Sequence, residues 1–282
     1  MYAARLMTTL DRDLAQLKFV DLHGYRMAYR EWGDPAAAQT LVLIHGITSS
    51  SLSWIRVAPR LATRSRVLVV DLKGHGDSDR PPTGYRLADQ AEEVAGLCAA
   101  LDLRQVSLIG HSWGGGIALL LATAGGVPIQ RLVLEDPGVG QRSTSPEQAP
   151  DREQRAARYI NSVGLSREEA EALARPNLAL GWTEQDVAGK VDAAMKGSRA
   201  SVQAVFAENG RWDLLDRFAD LRCPTLLIRA EVSLGGIVDD EAVELARANP
   251  LVRVVTVPDA DHNIHRGRFD AFMAEVEPFL SD

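Results

Sequence analysis

Val106-Ser107-Leu108-Ile109-Gly110-His111-Ser112-Trp113-Gly114-Gly115-Gly116-Ile117-Ala118-Leu119-Leu120-Leu121-Ala122 is the stretch that decides the fold. Val106–Ile109 is a continuous apolar run and reads as a buried strand; Gly115 to Ala122 reads as a helix. Between them, Ser112 stands inside Gly110-His111-Ser112-Trp113-Gly114, a Gly-x-Ser-x-Gly turn in a strand–turn–helix setting. Gly110 and Gly114 have no Cβ, so strand and helix can approach closely and lift the Ser112 hydroxyl clear of the sheet edge. The helix that starts here aims backbone N–H groups, and the positive end of its dipole, at any charge forming beside Ser112. The pentapeptide alone is a weak signal in a chain with 23 glycines. Its flanks make Ser112 the candidate nucleophile.

The flanks repeat the same alternation. Leu41–Ile44 is an apolar run ending in His45-Gly46-Ile47-Thr48, and Val67–Asp71 is another, ending in the polar loop Lys73-Gly74-His75-Gly76-Asp77-Ser78-Asp79. Ser53–Ala62 and Leu87–Leu101 read as helices, and Leu132–Asp136 as a strand stopped by Pro137-Gly138. Strands covered on both faces, alternating with helices, predict a parallel sheet with right-handed crossovers and an α/β fold. Ahead of it, 18–22 and 25–32 read as a hairpin around His23-Gly24. Leu6, Leu10, Leu14 and Leu17 fall at helical spacing, which predicts an N-terminal helical extension over 1–17, a candidate surface or homodimer contact.

Between Pro137 and Leu221 the alternation lapses into charged helical segments. Ser166-Arg167-Glu168-Glu169 is a capping box, and Thr183–Met195 carries Val187, Val191 and Met195 on one face. Trp182, Phe206 and Trp212 supply bulk, either to a substrate pocket or to the segment's own core. Strands resume at 225–231 and 252–257, with helices over 239–248 and 269–280. The predicted organisation is a core of 18–137 and 221–282, with a helical lid of 138–220 inserted after the sixth strand.

Composition bounds the rest. The 282 residues, 46% of them hydrophobic, suit one large domain with an insertion. A net charge of −7 offers no cationic surface for nucleic acid or anionic lipid. Cys98 and Cys223 form no ligand pattern and read as buried thiols. No stretch reads as a signal peptide or a membrane span, so the expectation is a soluble, cytoplasmic protein.

Together, His45-Gly46, Asp71-x-x-Gly74-His75-Gly76-x-Ser78-Asp79, Gly110-His111-Ser112-Trp113-Gly114 and the late His262 resemble the α/β-hydrolase superfamily, in its lidded single-domain form. The resemblance runs from about residue 20 to 280. It implies the α/β-hydrolase fold, a mostly parallel twisted sheet flanked by helices, with no cofactor. It also implies the order Ser, acid, His. His262, in the loop after the last strand, is favoured as base over His265; His23, His45, His75 and His111 precede the nucleophile and are not assigned. The acid stays open. In most relatives it follows the strand ending here at Glu231, but Ser233 stands at that position. Asp136, Glu231 and Asp239 or Asp240 are the alternatives, Asp136 first; Glu135 alternates to the other face. The oxyanion hole falls by resemblance on the backbone N–H groups of Ile47 and Trp113. No metal is expected: Asp71, Asp77 and Asp79 read as strand-end and turn residues, and the His262/His265 pair lacks a third ligand.

The chemistry implied is cleavage of a carboxylic ester of a small, largely apolar substrate through an acyl-enzyme. The same residues serve a lactone, or a diketo acid cleaved at a C–C bond. Arg142 and Arg158 are candidates to hold a substrate carboxylate, though both read more simply as solvated arginines. A non-catalytic small-molecule receptor on this scaffold, and a cofactor-free haloperoxidase, are the other readings.

Overall fold

The fold is taken from a computed structural model that describes residues 15–22, 24–140 and 152–281. Eight strands form one sheet: β1 (Leu17–Leu22), β2 (Tyr25–Trp32), β3 (Thr40–Ile44), β4 (Arg66–Val70), β5 (Val106–His111), β6 (Ile129–Glu135), β7 (Thr225–Arg229) and β8 (Val252–Thr256). Their order is β1-β2-β4-β3-β5-β6-β7-β8. The β1–β2 and β2–β4 pairs are antiparallel and the remaining pairs are parallel, with β5 central. This is the mostly parallel α/β sheet that the alternation predicted, in the α/β-hydrolase arrangement that the resemblance implied.

Strand residues alternate between two buried layers, as a period of two requires. Val42, Ile44, Leu68, Val70, Leu108, Leu132 and Leu134 share one core with α2 (Leu87–Ala100) and α3 (Trp113–Ala124). Leu41, Leu43, Val67, Val69, Ile109, Val133, Leu226 and Ile228 share the other with α1 (Val57–Leu61) and the last helix. Both faces are dry, so the central strands read as unbroken apolar runs rather than alternating ones.

Among the described residues, four α-helices lie between β6 and β7: α4 (Arg152–Ile160), α5 (Arg167–Ala174), α6 (Glu184–Lys196) and α7 (Arg199–Asn209). Capping boxes open α5 at Ser166/Glu169 and α6 at Thr183/Asp186. The ends of this insertion belong to the main core: Val139, Leu214, Leu215 and Phe218 are buried in it, and Leu214 N–H donates to Val139 O at 2.7 Å. After β7 come α8 (Asp240–Arg247), then β8, the short α9 (Ile264–Gly267) and α10 (Phe269–Ser281).

Some expectations shift. The helix expected over Ser53–Ala62 is a 3-10 turn, Ser51–Trp54, followed by α1, because the chain must bend to bury Trp54 under the sheet. Leu17 is not part of a helical extension; it opens β1, paired with Arg30. Leu6, Leu10 and Leu14 lie outside the described residues. Cys98 and Cys223 are buried free thiols. No helix among the described residues is long and apolar enough to cross a membrane.

Candidate active site

Ser112 sits at φ 53°, ψ −118°, between β5 and α3. A left-handed non-glycine residue is strained, and the surroundings hold it there. Ser112 N–H donates to Glu135 O at 3.0 Å, and Ser112 O accepts from Gly138 at 2.7 Å and Gly115 at 2.9 Å. The glycines of the turn are required by packing. A methyl group on Gly110 would stand 2.4 Å from Gly114 O, and one on Gly114 would stand 2.4 Å from Ile44 O.

Fold topology brings the end of β6 and the loop after β8 to this turn. Ser112 Oγ lies 2.8 Å from His262 Nε2, and His262 Nδ1 lies 2.6 Å from Asp136 Oδ2. With the ring proton on Nδ1, His262 donates to Asp136 and accepts from the Ser112 hydroxyl. Ser112 is 7% exposed, the His262 side chain 22% and Asp136 0%, so the first two can meet a ligand and the carboxylate cannot.

Asp136 is itself at φ 37°, directly after β6. Its carboxylate accepts from the backbone N–H of Ile237 at 3.0 Å, and from Ala230 and Val238 at 3.4 Å each. Buried charge needs such donors. The loop after β7, where Ser233 replaces an acid, therefore supplies amide protons to Asp136. The other acids considered are engaged elsewhere. Glu231 accepts from Asp259 N–H at 3.1 Å, Asp239 caps α8 through Ala242 N–H at 2.9 Å, and Asp240 pairs with Arg229 at 2.6 Å.

The β3 end closes the other side. A methyl group on Gly46 would come within 3.1 Å of Ser112 Cβ, so the His45–Thr48 loop lies on the turn. Among the described residues, no carbonyl accepts from Ile47 N–H or Trp113 N–H. His45 is locked as a neutral ring: Nδ1–H donates to Gly46 O at 2.8 Å and Nε2 accepts from Leu72 N–H at 3.1 Å. Burial pushes its pKa down to about 4. Trp113 meets Trp212 edge-on at 5.2 Å, and Trp212 Nε1–H donates to Gly138 O at 2.9 Å. Trp182 and Phe206 are buried within the insertion. Asp71 accepts from Ser51 N–H at 2.5 Å and Asp77 N–H at 3.0 Å, shaping the loop after β4.

A second hydrogen-bonded chain lies beneath the first, which the linear sequence did not signal. Ser53 Oγ is 3.1 Å from His265 Nε2, and His265 Nδ1 is 2.8 Å from Glu135. His111 Nε2–H donates to His262 O at 2.8 Å and so holds the loop that carries His262. His111, Glu135 and His265 have donor atoms within 4.8 Å of one another, all buried. Burial raises Glu135 to about 7 and lowers both histidines. Arg158 is exposed, and Arg142 lies outside the described residues.

The profile of the Alpha/beta hydrolase family matches residues 41–275. An uncharacterised protein of Mycobacterium tuberculosis is 40% identical over 129 residues, which span 45% of this chain and 37% of that protein's length. N-formylmaleamate deformylase of Pseudomonas putida is 29% identical over 93% of this chain and 95% of its own. The crystal structure of E-2-(acetamidomethylene)succinate hydrolase superposes with a TM-score of 0.81 at 25% identity, covering 95% of this chain and 99% of that one. The chain belongs to the alpha/beta hydrolase family.

Proposed function

We propose that this member of the alpha/beta hydrolase family is a serine hydrolase that cleaves a carboxylic ester through an acyl-enzyme. One observation carries the reading: the Ser112–His262–Asp136 chain at a strained strand–helix turn, beside two backbone N–H groups with no carbonyl acceptor among the described residues. A free hydroxyl is too weak an acid to attack at neutral pH and needs a base in contact. His262 Nε2 takes the Ser112 proton as Oγ bonds to the acyl carbon. Asp136 holds the tautomer and stabilises the imidazolium. The alkoxide formed at the acyl oxygen is met by Ile47 and Trp113 N–H. The C–O bond to the alcohol breaks as His262 returns the proton to it. Water, deprotonated by His262, then releases the acid and restores Ser112.

Helices α4–α7 act in this reading as the lid, with Trp113 and Trp212 as apolar walls. A second reading uses the same site on an N-acyl bond. It is favoured by the relatives matched nearly end to end, whose names carry N-formyl and acetamido groups. The test is labelling by a fluorophosphonate, with turnover of p-nitrophenyl acetate and butyrate. Wild type is expected to label and turn over, and Ser112→Ala to do neither. Wild type inert to both would sink the proposal and favour a binding protein on a hydrolase scaffold.

A further inference from the structure

The loop at Thr48 and Ser49, which follows Ile47, is contacted by two cationic side chains, Lys190 and Arg266. Lys190, on α6, donates from Nζ to Thr48 O at 3.0 Å and Thr48 Oγ1 at 3.3 Å. Thr48 directly follows Ile47 and sits at φ 59°, so the ammonium is fastened to the loop that lies on Ser112. An ammonium has three donors. Two are used, and no carboxylate of the described residues forms an ion pair with Lys190. The side chain is half-buried, yet burial and the neighbouring Arg266 push its pKa down to about 8.

Arg266 adds a second, buried cation. It is 2% exposed, stacks over Trp182 at 4.4 Å, and donates from Nη2 to Ser49 Oγ at 3.4 Å, the next residue along the same loop. Its Nε has no acceptor. Three acids act on Arg266, namely Asp186, Glu135 and Asp261, but Asp186 is engaged by Arg56 at 3.0 Å and by Thr183 N–H at 2.8 Å, and Glu135 by His265 at 2.8 Å. Both Lys190 and Arg266 act on His45, at the root of the loop that ends in Ile47. Arg56 and Arg266 thus share Asp186, and no carboxylate of the described residues pairs with Lys190 beside Thr48. Burying such charge is costly unless an anion completes it.

We propose that Lys190 is a carboxylate anchor, and that the substrate is an acyl compound carrying a carboxylate, held by the free donor of Lys190 within the field of Arg266. This rests on the serine-hydrolase reading of Ser112 and adds the substrate class to it. An anion docked beside the oxyanion loop would orient the acyl carbon over Ser112, which is where positioning accelerates attack.

The test compares mono-(p-nitrophenyl) succinate and glutarate with neutral p-nitrophenyl butyrate, and measures glutarate binding by calorimetry. One charge-assisted hydrogen bond predicts a wild-type preference in kcat/KM of about 10–100-fold for the anionic esters. Lys190→Met is expected to erase that ratio, chiefly through KM, and to weaken glutarate binding; Lys190→Arg keeps part of both. A wild-type preference for the neutral ester, or a ratio untouched by Lys190→Met, overturns the anchor. If no ester turns over and Ser112 does not label, the hydrolase reading has failed instead. Glutarate binding to wild type, weakened or not in Lys190→Met, then still decides whether Lys190 holds a carboxylate.

Discussion

Asp136 does two things with one strained residue. Its left-handed backbone turns the carboxylate from the end of β6 toward His262, and three amide protons hold it there. An amide in its place would present a donor to those donors and select the wrong imidazole tautomer. Asp136→Asn is therefore expected to lower kcat by about 10⁴-fold. Glu231→Gln should leave kcat/KM unchanged, since Glu231 only receives the Asp259 N–H. Steady-state kinetics on p-nitrophenyl butyrate checks both, and loss of activity in Glu231→Gln with retention in Asp136→Asn would reverse the assignment. His265, three residues past His262, has another task. It is buried, stacked on Trp54 at 4.4 Å and bonded to both Ser53 and Glu135. His265→Ala removes the ring bond to Glu135, leaving only the backbone N–H of that position, and opens a void, an expected cost of about 2–3 kcal/mol in chemical denaturation.

At the scale of elements, the β5–α3 unit is set by close backbone approach. A Cβ on Gly114 meets the carbonyl oxygens of Ile44 at 2.4 Å and His45 at 2.5 Å, so α3 must move away from β3 to accept one. Gly114→Ala is expected to destabilise by about 1–3 kcal/mol or more, and to slow fluorophosphonate labelling because the loop at His45–Thr48 shifts with it. Gly126→Ala is the control: just past α3, it is exposed and a methyl group there meets nothing within 4 Å. Equal melting temperatures for the two variants would contradict this account. The insertion is attached by the same logic. Gly189 on α6 packs so closely that a methyl group would lie 2.8 Å from Leu52 O, which brings Lys190 to the Thr48 loop.

Across the whole molecule, buried histidines set the response to acid. Burial lowers His45 to about 4 and His75 to about 3, and lowers His111 and His265 as well. In the unfolded chain these rings bind protons below about 6.5. The unfolded state then holds more protons than the folded one, so stability is full above that pH and falls as the pH drops toward 4. Glu135, raised to about 7, works in the opposite sense: the folded state keeps a proton that the unfolded chain releases above its ordinary value of 4.5. Burial also raises the carboxyls of Asp71, Glu93 and Asp192, which act in the same sense as Glu135; against them stand the four rings, and the melting temperature is expected to fall between pH 6.5 and 4. In His75→Asn the amide can still donate to Lys73 O, as the ring does at 2.9 Å, but cannot titrate. Its melting temperature should fall less steeply over that range; an equal slope would remove His75 from the account.

Local patterns determined most of the architecture. Unbroken apolar runs at Leu41–Ile44, Val67–Val70, Val106–Ile109 and Leu132–Leu134 can only be strands dry on both faces, and glycines around Ser112 can only mark a sharp, close-packed turn. Ser112 was legible because it sits in such a local signal; His262, Ile47 and Trp113 were candidates through the resemblance to the α/β-hydrolase superfamily. The partner of His262 was not: Asp136, Glu231, Asp239 and Asp240 all stand near strand ends, and strand ends converge only once the sheet has an order. Tertiary structure decided which carboxylate meets His262, since β6 lies beside β5 and the loop after β7 folds its amide protons onto Asp136. It also decided what no linear pattern carries: the buried Ser53–His265–Glu135 chain and the unpaired Lys190 beside the Thr48 loop. Hydrophobic periodicity is a short-range property of the chain, whereas a polar contact depends on atoms that folding brings together from 100 or more residues away.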